Sequence, residues 1–152
     1  MATNTLLQYL QPDDGSGTSL GITPSNRRQV ERFIASHAIA ANDLVALDFS
    51  KTADGDKALY VRKALDSEIS QVAIGFALNA AAAAGDEVNV TIAGIHESAN
   101  VHSSVAAGDR LIISPVAGQA EVIAASDTSP IVAVAVEADT ANVATVFVLK
   151  QF

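Results

Sequence analysis

From residue 43 onward the chain repeats one pattern: short apolar stretches with a period of two, most of them bounded by turn residues. Residues 44–49, 58–62, 72–78, 87–92, 110–113, 120–124, 131–137 and 144–149 are rich in Val, Ile, Leu and Ala. The alternation is cleanest where Val88, Val90 and Ile92 interleave with Asn89, Thr91 and Ala93. A period of two puts successive side chains on opposite faces of a strand, so these stretches predict half-buried strands rather than helices. About eight short strands at such spacing predict an all-β fold, a small β-barrel or a sandwich. Residues 80–84 are the exception, five alanines with the propensity for one helical turn before Gly85.

Two internal echoes reinforce this. The tetrad Ala-Ala-(Gly/Asn)-Asp occurs at Ala40-Ala41-Asn42-Asp43, Ala83-Ala84-Gly85-Asp86 and Ala106-Ala107-Gly108-Asp109, each time before an apolar strand. Gly and Asn tolerate the left-handed backbone of a tight turn, and Asp can bond the backbone just beyond it. At an offset of 58, Ile74-Gly75-Phe76-Ala77-Leu78 aligns with Val132-Ala133-Val134-Ala135-Val136, Val88 with Val146 and Val90 with Val148. The alignment describes either two equivalent strand-turn-strand units or a coincidence between Ala/Val-rich strands.

The chain divides into an arm, residues 1–25, and a barrel domain, residues 26–152. Leu6, Leu7, Tyr9 and Leu10 form an apolar cluster, followed by Pro12-Asp13-Asp14-Gly15-Ser16-Gly17, which has linker chemistry. The cluster either packs back on its own domain or docks on a neighbouring subunit. In residues 25–37, Val30, Phe33 and Ile34 have helical spacing behind Pro24 and Ser25, which gives helix a slight edge.

Composition narrows the chemistry. The 152 residues include 29 alanines and 16 valines but no cysteine or tryptophan, and only 17% are charged. The absence of cysteine excludes disulfides, thiolate metal sites and cysteine nucleophiles. No apolar run approaches the roughly 20 residues of a membrane span, and the basic start of a secretory signal is missing, so a soluble, unexported protein is expected. Weak charge on an apolar chain suggests surface hidden in an assembly. Residues 1–63 carry seven basic and seven acidic groups, and residues 64–152 two and ten, so the whole charge of −8 lies in the second part. That disfavours nucleic acid as a partner. The basic cluster Arg27, Arg28 and Arg32 suits carboxylates on a protein partner.

No catalytic constellation emerges. His96 and His102, six residues apart around Glu97, lack the spacing of a helical zinc pair and read as exposed loop histidines, so no metal site is expected. Asp54-Gly55-Asp56 lacks the ligand series of a calcium loop and reads as a charged hairpin tip. Gly15-Ser16-Gly17 is no nucleophile elbow, and no phosphate-cradling glycine loop is present. No cofactor is expected. Two rival functions remain: a surface-displayed receptor- or carbohydrate-binding module, with only Tyr9 and Tyr60 to stack on sugars, and a metal enzyme built on His96 and His102.

The layout of residues 29–150 carries a family resemblance. Val72-Ala73-Ile74-Gly75-Phe76-Ala77-Leu78, then Ala84-Gly85-Asp86-Glu87-Val88-Asn89-Val90, Gly94, Val105-Ala106-Ala107-Gly108-Asp109-Arg110-Leu111 and Ile131–Ala138 together resemble the capsid cement, or head decoration, proteins of tailed bacteriophages. The resemblance implies a β-barrel on the capsid exterior, made in the host cytoplasm, usually a homotrimer, that clamps neighbouring major capsid protein subunits. It implies a strand rather than a helix at residues 29–34. Docking through Leu6, Leu7, Tyr9, Leu10, Arg27 and Arg28 is the expectation that follows. Asn42, Asp43, Gly85, Asp86, Gly108 and Asp109 are expected to be structural turns.

Overall fold

The computed structural model describes residues 28–66 and 72–151. Nine strands and one short helix follow one another as β1 (Arg28–Ala35), β2 (Leu44–Leu47), α1 (Asp54–Leu59), β3 (Tyr60–Lys63), β4 (Ala73–Ala77), β5 (Glu87–His102), β6 (Arg110–Ile113), β7 (Ala120–Val122), β8 (Ala133–Ala135) and β9 (Val143–Val148). The fold is all-β, as the alternation predicts. It is not the single barrel expected. All nine strands belong to one sheet, ordered β1-β3-β2-β4-β5-β7-β6-β8-β9, with added pairings of β5 to β1 and to β9.

Those added pairings close the ladder twice through β5. The first circuit runs β1-β3-β2-β4-β5 and back to β1; the second runs β5-β7-β6-β8-β9 and back to β5. In each, the first and third strands in chain order are parallel (β1 with β3, β5 with β7) and the other pairs antiparallel. Register repeats as well as order. Leu44 faces Phe76 as Arg110 faces Val134, and Val45 faces Gly75 as Leu111 faces Ala133. Val45 faces Lys63 as Leu111 faces Val122, and Phe33 faces Val88 as Ala99 faces Ala144. The chain is thus a tandem duplication whose units share β5, last strand of one and first strand of the other.

The echo at offset 58 is correct for β4 and β8, where Ala77 corresponds to Ala135. It is two residues out for β5 and β9, because Ala77 faces Val90 whereas Ala135 faces Val146. The link between β4 and β5 is two residues longer than the link between β8 and β9.

Each circuit has its own core. Phe33, Ala35, Val45, Val61, Ile74, Ala77, Val88, Val90 and Ile92 fill the first. Ala99, Val101, Leu111, Ala120, Ala133, Ala135, Ala144, Val146 and Val148 fill the second, joined by Leu44, Ala46, Ala73 and Phe76 from the far face of β2 and β4. Those two strands therefore bury both faces, which is why β4 has no exposed residue.

Several expectations are corrected. Residues 29–34 are strand, as the resemblance implies and against the helical spacing: Phe33 and Ala35 point into the core, and a register shift between Gln29 and Val30 breaks the alternation that would have revealed it. Residues 97–102 are not loop but the second half of β5. The charged tip at Asp54-Gly55-Asp56 is the first turn of α1, with Lys57 on Asp54 at 2.8 Å. Residues 80–84 form no helix; Ala81 bridges to Ile39, and five residues are too few to offset helix nucleation.

Candidate assembly surface

The three tetrads adopt one geometry. Asn42, Gly85 and Gly108 have φ of 71°, 93° and 91°, the left-handed backbone that a tight turn requires. The carboxylate reaches back rather than onward: Asp43 accepts from the Ala40 N–H, Asp86 from Ala83 and Asp109 from Ala106, at 2.8–2.9 Å. Each turn delivers the chain directly into β2, β5 or β6.

Their surroundings differ. Asp86 and Asp109 lie at the surface, whereas Asp43 is buried where the circuits meet. Its carboxylate also accepts from the Lys63 ammonium and the Asn100 amide, both at 2.9 Å. Backbone bonds from Leu44 N–H to the Gly118 carbonyl (2.7 Å) and from Asn100 N–H to the Asn42 carbonyl (3.0 Å) complete the seam.

His96 sits in the same seam. It is a buried residue of β5, not the exposed loop histidine expected from sequence. Its ring stacks on Phe76 with centroids 5.3 Å apart. Nε2 lies 3.2 Å from Asn42 Oδ1 and Nδ1 3.2 Å from Thr91 Oγ1. An amide oxygen only accepts, so Nε2 carries the proton and the Thr91 hydroxyl donates to bare Nδ1. The neutral ring is satisfied on both sides. Burial, followed by the positive charge of Arg28, lowers its pKa from 6.5 to about 4.

His102, at the far end of β5, meets Glu121 at 3.4 Å. Six strand residues separate it from His96, about 20 Å, so the two histidines do not form one site. His37 lies against β3, where the Lys63 N–H donates to its Nε2 at 3.5 Å. Burial, then Arg62, lowers its pKa. Among the described residues no three His, Asp or Glu side chains come together to hold a metal ion.

What the molecule presents is surface. Across β6, β8, β9 and β5 the residues Arg110, Val134, Phe147 and Ile95 stand in one cross-strand row. Phe147 is 44% exposed, and Val136, just past β8, 51% exposed. Glu137 accepts from the Thr145 hydroxyl beside this row. Of the docking residues expected from sequence, Arg28 is exposed at the start of β1. Leu6, Leu7, Tyr9, Leu10 and Arg27 lie outside the described residues, as does the arm. The alignment of Phe76 with Val134 was the sequence signal for the apolar row, legible only once one of the two faces was known to be covered.

No family model and no curated protein matches the chain. Among solved structures, its fold matches the crystal structure of the N base of head fiber gp8.5 in bacteriophage phi29. The TM-score is 0.55 at 18% sequence identity, over 80% of this chain and 93% of that chain. At that identity the likeness is one of fold.

Proposed function

We propose that the protein is a structural component of a tailed-bacteriophage head, carried on the capsid exterior, where it clamps neighbouring major capsid protein subunits. The observation that carries this reading is the fold match, which spans 93% of a head-fiber base. The physics supports it. Two cores sharing one strand make a stiff body, and repeated weak contacts on a many-copy lattice gain avidity. An apolar arm at residues 1–25 would add contacts on a neighbouring subunit, and a strand-adding arm gains main-chain hydrogen bonds there. No catalytic role belongs to this reading.

The test is to mix the purified protein with undecorated expanded heads and image them by electron cryomicroscopy. Added density on the outer surface, bridging adjacent capsid subunits, is expected. Protein that stays in the supernatant overturns the head assignment, and density standing on a single subunit makes the protein a pedestal rather than a clamp. Deleting residues 1–20 is expected to leave circular dichroism and melting intact while abolishing binding; full binding by the truncated chain removes the arm from the contact.

A further inference from the structure

The duplication shows what a covered face looks like in this molecule. In the first circuit the cross-strand row is Leu44, Phe76, Thr91 and Val30. Its first three members are fully buried, because the second circuit packs on them. The corresponding row of the second circuit is Arg110, Val134, Phe147 and Ile95, of which Arg110 and Phe147 are exposed and Val134 and Ile95 half-buried. Phe76 and Val134 occupy the same register position, as do Thr91 and Phe147.

The body that covers the first row is the end of the second circuit at which β5 meets β9 and β6 turns into β7; Gly118 and His96 line it. The corresponding end of the first circuit lies where β1 begins and where β2 joins β3 through α1. That end exposes Phe49 ahead of α1 and Leu59 at its close.

We propose that a second copy of the chain docks on the row Val134, Phe147 and Ile95 with its Phe49/Leu59 end, head to tail, extending between copies the contact that the duplication makes within one. A heterologous contact of this kind either closes into a ring or runs on as a filament. The exposed Phe147 is its apolar anchor. This contact goes beyond the proposed function and does not depend on binding to a head. The test uses the protein alone, so its failure and failure to bind heads are separate results.

The chain has no cysteine, so single-cysteine variants report cleanly. Val136→Cys, beside the row, and Leu59→Cys are mixed and treated with a short bis-maleimide cross-linker. Cross-linked dimers are expected in the mixture and not from either variant by itself. Dimers from Val136→Cys by itself mean a symmetric face-to-face contact and overturn the proposal, as does the absence of dimers in every sample. Light scattering of the unmodified chain over a concentration series is expected to show a mass above that of the monomer. Phe147→Glu, at an exposed position, is expected to reduce that mass to the monomer's with unchanged melting. A wild-type chain that stays monomeric throughout, or a Phe147→Glu variant that associates normally, overturns it.

Discussion

The two circuits have the same strand order and register, yet equivalent positions do different work. Gly75 and Ala133 correspond, as do Phe76 and Val134. In the first circuit these positions are squeezed between two cores, and in the second they face one core and solvent. Topology was duplicated but environment was not. A side chain's importance here follows from which circuit it belongs to, and substitutions at paired positions measure that directly.

The largest contrast is expected at Gly75 and Ala133. A Cβ built at Gly75, with φ of 153°, would fall 1.9 Å from the Thr91 carbonyl oxygen. Gly75→Ala is expected to cost at least about 4 kcal/mol or to prevent folding. Ala133→Gly is expected to cost about 1 kcal/mol. Urea denaturation of both variants checks the pair, and equal losses would break the comparison.

Next comes Phe76 against Val134. Phe76→Ala opens a cavity in the seam and removes the ring on which His96 stacks, at an expected cost of about 3–5 kcal/mol. Val134→Ala, half-exposed, is expected to cost about 1 kcal/mol or less in the isolated chain. Calorimetric melting of the two variants reads the difference.

His96 gives the seam a pH dependence. Its folded pKa of about 4 lies below the unfolded value of 6.5. The unfolded state therefore binds the proton first. Stability is fully present above pH 6.5 and declines as pH falls toward 4, by on the order of 3 kcal/mol at most. Denaturant midpoints between pH 7 and 4 follow this loss. His96→Gln is expected to flatten that limb, although it lowers stability at pH 7.

The smallest contrast is at the tetrads. Asp43→Ala strands Lys63 and Asn100 in the seam and is expected to cost about 3 kcal/mol. Asp86→Ala, in the same turn at the surface, is expected to cost about 1 kcal/mol. Equal effects would mean that the turn matters rather than the seam.

Much of this fold was legible because strand alternation and turn chemistry are local. The tetrads announced three of the strands, and the echo between β4 and β8, equally readable as coincidence, pairs positions that are equivalent in the fold. What sequence reading lost was β5. Gly94 and the polar stretch from His96 to Asn100 look like a loop, yet that stretch is where one strand changes partners, from β1 and β4 to β9 and β7. A residue that leaves one sheet neighbour for another carries no single alternation, so the period vanishes without the strand ending. His96 was misjudged for the same reason: its polar partners, Thr91 and Asn42, come from another part of β5 and from a turn 54 residues away.

By itself the sequence determined the all-β character, the positions of the tight turns and the lack of thiol chemistry, since each depends on backbone preference or on residue type within a few positions. Tertiary structure alone decided that the ladder closes twice, that β2 and β4 bury both faces, and that the row through Val134 and Phe147 is left open. Those outcomes depend on which surface lies against which, and hydrophobic burial is non-directional until the whole chain is in place.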